Sequence, residues 1–192
     1  MNFQELQQFT VKTKLWSFIN SYFRVFNAKE ELIAYSQKAG FKLREDMRIY
    51  TDESMSEELV RISTGQIIDF GASYQVHDSK TGELLGSMKR SGFKSMARDH
   101  WTLMGPDGQV IYELQEDSLL LALVRRLLTN LVPASYHLMK DGAIAGPSFS
   151  QNFNPFLLHF KVDLKGWDEA IDKRLALAMT ILLLSIEGKQ GS

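Results

Sequence analysis

A short run of basic residues is the strongest chemical signal in the sequence. Lys89, Arg90, Lys94 and Arg98 fall within ten residues, and no Asp or Glu interrupts them. Lysine and arginine bind phosphate and carboxylate oxygens through charge-assisted hydrogen bonds. Gly92 lies at the predicted turn, so the four cations are expected to cluster at one end of the fold as an anion-binding site. The alternative is a solvated, charged hairpin whose basic residues balance the charge of nearby acidic residues.

A second candidate is the pair Arg125 and Arg126, which lies on a predicted helix over residues 118–131. This helix has a broad leucine-rich face, and both arginines belong to its polar face. Such a helix can lie in a membrane interface, contact a protein partner or cap the open end of a sheet. Two cations are few for membrane docking, so the cap is the favoured interpretation.

No constellation in the sequence indicates catalysis, metal binding or cofactor binding. The histidines, His77, His100, His137 and His159, are dispersed, whereas a metal site needs three or four convergent ligands. Asp99 precedes His100, but neighbouring residues of a strand point to opposite faces, so the two do not form a simple pair. No phosphate loop, nucleophile elbow, zinc-protease motif or dinucleotide fingerprint occurs. We therefore predict a non-enzymatic protein without a catalytic residue, a metal site or a cofactor.

Composition places the chain among ordinary globular domains. Its 192 residues are 44% hydrophobic and 23% charged, which excludes a disordered tail, a collagen-like fibre and a simple coiled coil. The 22 basic and 23 acidic residues give a net charge of -1, so no global positive field exists to hold nucleic acid. The absence of cysteine excludes disulfides, thiolate metal sites and cysteine nucleophiles.

The sequence also bears on the compartment. The first residues lack the basic start and apolar run of a secretory signal peptide. The longest apolar stretch, residues 175–186, is shorter than the roughly 20 residues that a membrane-spanning helix needs. We expect a cytoplasmic protein, either free or peripheral to a membrane.

Alternation of apolar and polar residues predicts strands over most of the chain. Four similar units each combine an aromatic-x-aliphatic triplet, a polar turn and a second aliphatic run, which is typical of β-hairpins. These units cover residues 23–33, 74–85, 101–111 and 136–144, and only the first lacks a turn glycine. Further alternation occurs at 41–44, 47–50, 60–62 and 156–164. The pattern predicts a closed or nearly closed antiparallel sheet of about a dozen strands, because closure removes exposed edges.

The last predicted element is an apolar helix over residues 168–187. From residue 175 it is apolar on all sides, with Thr180 and Ser185 as the interruptions, so it must be enclosed. A barrel of a dozen strands is too wide for its own side chains to fill, and a helix threaded through it would fill the space. We predict one domain over residues 1–192, with a core at about 11–188, a helical insertion at 118–131 and the central helix at 168–187.

The order of four features carries a resemblance to a known superfamily. They are the segment 74–90 (YQVHDSKTGELLGSMKR), the hairpin 101–114, the strand 160–164 and the apolar run 175–184. In this order they resemble the tubby-like barrel superfamily over residues 11–188, most closely its LURP-one-related and phospholipid scramblase-like branch. The resemblance implies a twelve-stranded β-barrel that encloses the last helix. Scramblases carry an acidic, calcium-associated segment before that helix, whereas residues 150–155 here hold no carboxylate, so calcium regulation is not expected.

The resemblance implies a membrane-associated module that binds anionic lipid headgroups of the phosphoinositide type. Lys89, Arg90, Lys94 and Arg98 would contact the phosphates. The alternative is a soluble protein-interaction scaffold of the LURP-one-related type, with no lipid ligand. Scramblase-like lipid transfer is less favoured, because the only long apolar helix is the barrel's own core. The predicted partner is thus an anionic membrane surface or a protein, and the oligomeric state stays open.

Overall fold

The computed structural model describes residues 2–14, 20–39, 46–64, 73–90, 101–116, 135–152 and 157–187. A short 3-10 helix (Phe3–Glu5) is followed by twelve strands and one α-helix, α1 (Arg174–Glu187). The strands are β1 (Gln8–Lys14), β2 (Asn20–Phe26), β3 (Leu32–Ala39), β4 (Met47–Tyr50), β5 (Glu58–Thr64), β6 (Ser73–Asp78), β7 (Leu84–Arg90), β8 (Trp101–Met104), β9 (Val110–Glu116), β10 (Ser135–Lys140), β11 (Ala143–Gln151) and β12 (Leu157–Asp163).

The twelve strands form one closed antiparallel barrel. Each strand pairs with the strands before and after it in the chain, and β12 pairs with β1 to close the ring. Closure pairs every strand on both sides, so none of the twelve presents an open edge. The predicted fold class, a mainly β, roughly twelve-stranded antiparallel barrel with a central helix, is confirmed.

The four predicted hairpins coincide with β2–β3, β6–β7, β8–β9 and β10–β11. Three of their turns use a glycine with positive φ, namely Gly82, Gly108 and Gly142, at 76° to 78°. The first turn lacks a glycine, and Glu30 adopts the left-handed conformation instead, with φ of 61°. The hairpin forms although a side chain is disfavoured there, because the Asn27 carboxamide oxygen accepts hydrogen bonds from the amides of Lys29 and Glu31.

Helix α1 fills the barrel. Every residue from Leu175 to Ser185 is at most 6% exposed. The two polar residues are satisfied within the helix, since the Thr180 hydroxyl donates to the Ala176 carbonyl at 2.7 Å and the Ser185 hydroxyl to the Ile181 carbonyl at 2.6 Å. The inward residues of the strands supply the rest of one continuous core, as the alternation predicts.

The helix starts six residues later than the sequence predicts. Residues 168–173 form turns, because acidic side chains there bind local amides rather than extending the helix. The Asp168 carboxylate accepts from the Ala170 amide at 3.1 Å, and the Asp172 carboxylate accepts from the Arg174 amide at 2.8 Å. Asp172 thus occupies the capping position that starts α1.

The order of the strands divides the connections between two ends of the barrel. One end, here called the turn end, holds residues 2–7, 27–31, 51–57, 79–83, 105–109, 141–142 and 164–173. We call the loop end the opposite one, where odd-numbered strands from β1 to β11 finish and even-numbered strands begin. Helix α1 starts at the turn end and runs toward the loop end, where Ser185 contacts Met47 at the start of β4.

Two further predictions concern segments outside the described residues: the strand at 41–44 and the helical insertion at 118–131. Within the described part of the chain, no helix combines the length and the apolar character needed to span a bilayer. Helix α1, the longest described, has 14 residues.

Candidate anion-binding rim

Lys89 and Arg90 are the last two residues of β7 and lie at the loop end. They point to opposite faces of the sheet, because side chains alternate along a strand. Arg90 shares its face with the buried Met88, and its register partner on β8 is the buried Trp101. Lys89 instead pairs with Thr102 and Ser73 on the outer surface. The two cations therefore lie on opposite sides of the same rim, with Arg90 on the inner side of the barrel and Lys89 on the outer side.

Arg90 is held by an aromatic pair at the barrel mouth. Its guanidinium carbon lies 5.9 Å from the centre of the Trp101 ring. The ring of Tyr74 lies 6.0 Å from that of Trp101, and both aromatic residues are at most 6% exposed. Arginine stacks favourably on an aromatic face, so this contact orients a side chain that would otherwise sample many rotamers.

The electrostatics of Tyr74 agree with that placement. Burial raises the pKa of the Tyr74 phenol, and the positive charge of Arg90 opposes the shift. The phenol thus stays neutral at physiological pH and offers a donor beside a permanent cation.

Lys94 and Arg98 lie in the connection 91–100, and Arg125 and Arg126 lie in the connection 117–134. All four fall outside the described residues. Both connections join strand ends at the loop end, since β7 and β9 finish there and β8 and β10 begin there.

The opposite end of the barrel is strongly acidic. The seven turn-end segments contain twelve acidic residues (Glu5, Glu30, Glu31, Asp52, Glu53, Glu57, Glu83, Asp107, Asp141, Asp168, Glu169 and Asp172) against four basic ones (Lys29, Lys80, Lys165 and Lys173). Their formal charge is thus -8, whereas the whole chain carries -1, which leaves +7 on the rest of the chain. A nearly neutral protein is in this way divided into an acidic end and a basic remainder.

One ion-pair network at the turn end joins the central helix to the barrel. The Arg174 guanidinium donates to the Asp78 carboxylate at 2.6 Å and to the Asp172 carboxylate at 2.7 Å. Asp78 also accepts from the amides of Lys80 and Thr81 in the β6–β7 turn. The network thereby ties the first residue of α1 to a turn of the wall, and its groups are occupied with each other rather than with a ligand.

The same network sets the charge states of its members. Burial acts to raise the pKa of Asp78, but hydrogen bonds from the Thr81 amide, Arg174 and the Lys80 amide outweigh it, so the pKa lies below its ordinary value. The hydrogen bond to Asp172 raises the pKa of Arg174, with burial opposing it. Both groups therefore remain ionised across the physiological range.

On the outer wall, two further cations are engaged with acids of the turn end. Arg24 forms a two-pronged pair with the Glu53 carboxylate, at 2.6 and 3.1 Å. Lys12 pairs with Glu30 and lies over the Phe26 ring. These contacts tie the wall to its turns.

The aromatic partners of Arg90 were not predicted as site residues. The sequence pattern identifies Tyr74 and Trp101 as the first residues of their hairpins, but it does not show that they meet. Their meeting depends on the register of β7 against both neighbours, in which Tyr74 pairs with Met88 and Arg90 with Trp101. One feature of the sequence could have indicated the contact with Trp101: an arginine at the end of one predicted strand and an aromatic residue at the start of the next.

The histidines stay apart in the described residues. His77, His137 and His159 lie on β6, β10 and β12 respectively, and His100 falls outside the described segments. Within those segments, no three His, Asp or Glu side chains are grouped so that they could hold a metal ion.

Comparisons of the chain with protein-family models, curated proteins and solved structures found no match. The barrel, its internal helix and the charges at its two ends are therefore the observations on which a function has to be argued.

Proposed function

We propose that this protein is a non-enzymatic module that binds anionic lipid headgroups at the cytoplasmic face of a membrane. The contacting cations in this proposal are Lys89 and Arg90 at the loop-end rim, together with Lys94 and Arg98 in the connection that follows. Phosphoinositides are the proposed preferred headgroups, because several cations within ten residues can engage more than one phosphate.

The observation that carries this proposal is the division of charge along the barrel. A chain with net charge -1 would bind an anionic surface poorly if its charges were evenly distributed over the molecule. With -8 at the turn end, the rest of the chain carries +7, which includes Lys89 and Arg90 at the loop-end rim as well as wall cations that pair with turn-end acids. Attraction of this kind amounts to about 1 kcal/mol for each lysine or arginine close to the membrane.

Lys89 and Arg90 would have different roles in this site. Lys89 lies on the outer surface, where its flexible ammonium group can approach a phosphate from the side of the barrel. Arg90 lies against Trp101, which holds its guanidinium charge at the inner side of the rim. Tyr74 would add a neutral donor beside it.

The fold supports the family proposal as well. A closed barrel of twelve antiparallel strands around an apolar C-terminal helix is the architecture that the tubby-like resemblance implies. We therefore propose membership of that superfamily, in its LURP-one-related and scramblase-like branch. Fold likeness alone does not specify a ligand, so the lipid proposal rests on the charges.

Vesicle co-sedimentation tests the proposal. The purified protein is mixed with vesicles of phosphatidylcholine alone, with added phosphatidylserine or with added phosphoinositide, at low and at physiological salt. We expect binding to phosphoinositide vesicles that persists at physiological salt. Replacing Lys89→Gln together with Arg90→Gln should weaken that binding about tenfold or more, since two surface cations are lost.

The matched control is Lys161→Gln with Lys165→Gln. Both lysines are exposed, and the change alters net charge by the same amount away from the loop end. This control should bind nearly as well as the unmodified protein. Equal loss in the two double variants would contradict the assigned rim, and failure of the unmodified protein to bind any vesicle would contradict the lipid function.

A second candidate function is the protein-interaction scaffold, and one observation favours it. Val110 and Ile144 are 58% and 63% exposed at the starts of β9 and β11, both at the turn end. Two exposed aliphatic side chains at the same end of the barrel, on the strands that flank β10, offer apolar surface to a protein contact. A partner captured by the protein and lost on Val110→Ser with Ile144→Ser would support this function.

A further inference from the structure

We infer that the barrel meets an anionic bilayer with its loop end first, its axis steep to the membrane surface and its turn end directed away from it. This inference rests on the proposed lipid function and adds to it a single orientation. It follows from where the described acidic segments lie, and it would hold for any anionic lipid that the loop end binds.

The turn end is repelled by an anionic membrane surface. Its connections carry a formal charge of -8, and most of the acids are exposed. Cations of the strands and of α1 pair with four of these acids, namely Glu30, Glu53, Asp168 and Asp172, and the formal charge is still negative when those four cations are counted with the turn end. An anionic surface therefore repels this end whenever the two come close.

The barrel is long compared with the distance over which charges interact at physiological salt. Helix α1 runs from one end of the barrel toward the other, and its 14 residues correspond to about 21 Å. The Debye length at physiological ionic strength is about 8 Å, so charges at the far end are largely screened from a surface at the near end. With the loop end down, the protein keeps the attraction and avoids the repulsion. If the turn end faced the bilayer instead, its acids would be repelled and the attraction of the loop end would be screened.

An approach with the side of the barrel on the membrane is also unfavourable. Lying on its side would bring turn-end acids such as Glu31, Glu57 or Glu83 to within a Debye length of the headgroups, whichever part of the wall is down, because the acidic segments surround the whole end. A steep approach through the loop end is the arrangement that keeps all seven segments distant.

Single thiol labels can read this orientation, because the chain contains no cysteine. Ala28→Cys adds a thiol at an exposed position of the turn end, and Ser135→Cys adds one on the outer side of β10 at the loop end. Each variant is labelled with an environment-sensitive fluorophore and mixed with phosphatidylcholine vesicles that contain phosphoinositide and a lipid with a nitroxide on its headgroup. Co-sedimentation is measured on the same samples.

We expect both labelled variants to bind, with quenching at least threefold stronger for the label on Ser135→Cys than for the label on Ala28→Cys. Equal quenching, or stronger quenching of the Ala28→Cys label, on vesicles that do bind the protein would overturn the orientation and leave the lipid function standing. Absence of the labelled proteins from the vesicle pellet would overturn both.

Charge reversal provides the second arm. Glu57→Lys with Glu83→Lys changes two exposed turn-end acids and takes that end from -8 to -4. In this background the quenching ratio between the two labels should fall at least twofold, because the turn end is repelled less. A ratio that does not change would show that charge does not orient the barrel, and would contradict the inference.

Discussion

Gly86→Ala is expected to lower the free energy of unfolding by about 3 kcal/mol, because the barrel has no room for a methyl group there. A Cβ atom at this position would lie 2.5 Å from the Met104 backbone carbonyl oxygen and 2.9 Å from the Leu175 Cδ1 atom. The carbonyl belongs to the neighbouring strand β8, and Leu175 belongs to the central helix, so neither can move without disturbing the core. Chemical denaturation followed by tryptophan fluorescence measures the change.

The matched control is Gly82→Asn in the β6–β7 turn. A Cβ atom at Gly82 would meet nothing within 4 Å, and asparagine tolerates the positive φ of 76° found there. We expect this variant to lose less than about 1 kcal/mol. If the two variants lost equal stability, close contact between the helix and β7 would not be the reason that position 86 is a glycine.

The second large effect concerns the pair that holds α1 to the wall. Asp78→Ala removes the partner of Arg174 and the acceptor for two turn amides, and we expect a loss of about 3 kcal/mol. Arg174→Met should lose about 2 kcal/mol, since the side chain is partly exposed and Asp78 keeps its turn amides.

A double-mutant cycle separates this pair from simple loss of packing. The variant with both Asp78→Ala and Arg174→Met should be more stable than the sum of the single losses indicates, because neither charge is left without its partner. Strict additivity, measured by denaturant unfolding, would mean that the ion pair does not couple the helix to the β6–β7 turn.

Acid should weaken the protein through the same residue. The pKa of Asp78 is lower in the folded state than in the unfolded chain, where it is about 3.9. Its contribution is therefore complete above the unfolded pKa and is lost as the pH falls through the folded pKa. Unfolding at pH 7 and pH 3 should show a smaller drop in stability for Asp78→Asn than for the unmodified protein. An equal drop would assign the acid sensitivity to other carboxylates.

Much of the fold could be predicted because its signals are local. The alternation that ends in Phe160, Val162 and Leu164 specifies one buried face of β12, and the helix after it is too apolar to have any exposed face. The start of that helix was predicted wrongly at residue 168. Acidic residues favour a helix N-terminus by charge, but they also bind amides of turns, and only the folded chain shows that Asp168 does the latter.

The candidate site was less predictable, because it depends on contacts between distant residues. Lys89 and Arg90 were predicted as one basic cluster. Their split between the outer and inner faces follows from the strand period, but the partners of Arg90 depend on the register of three strands. The charge division has the same origin. It is invisible along the chain, where acids and bases alternate, and appears once every second connection is assigned to one end.

The position of α1 in the chain has a consequence for synthesis on the ribosome. The strand that closes the ring, β12, and the helix that fills it are the last two elements of the described chain. While β1–β11 are emerging, inward side chains such as Phe9, Phe23 and Phe149 have no helix to pack against. The nascent chain must therefore carry an open, apolar sheet until residue 187 has been made, which is a state that aggregates readily or recruits chaperones. For this architecture, aggregation is most favoured while β1–β11 have been synthesised and β12 and α1 have not.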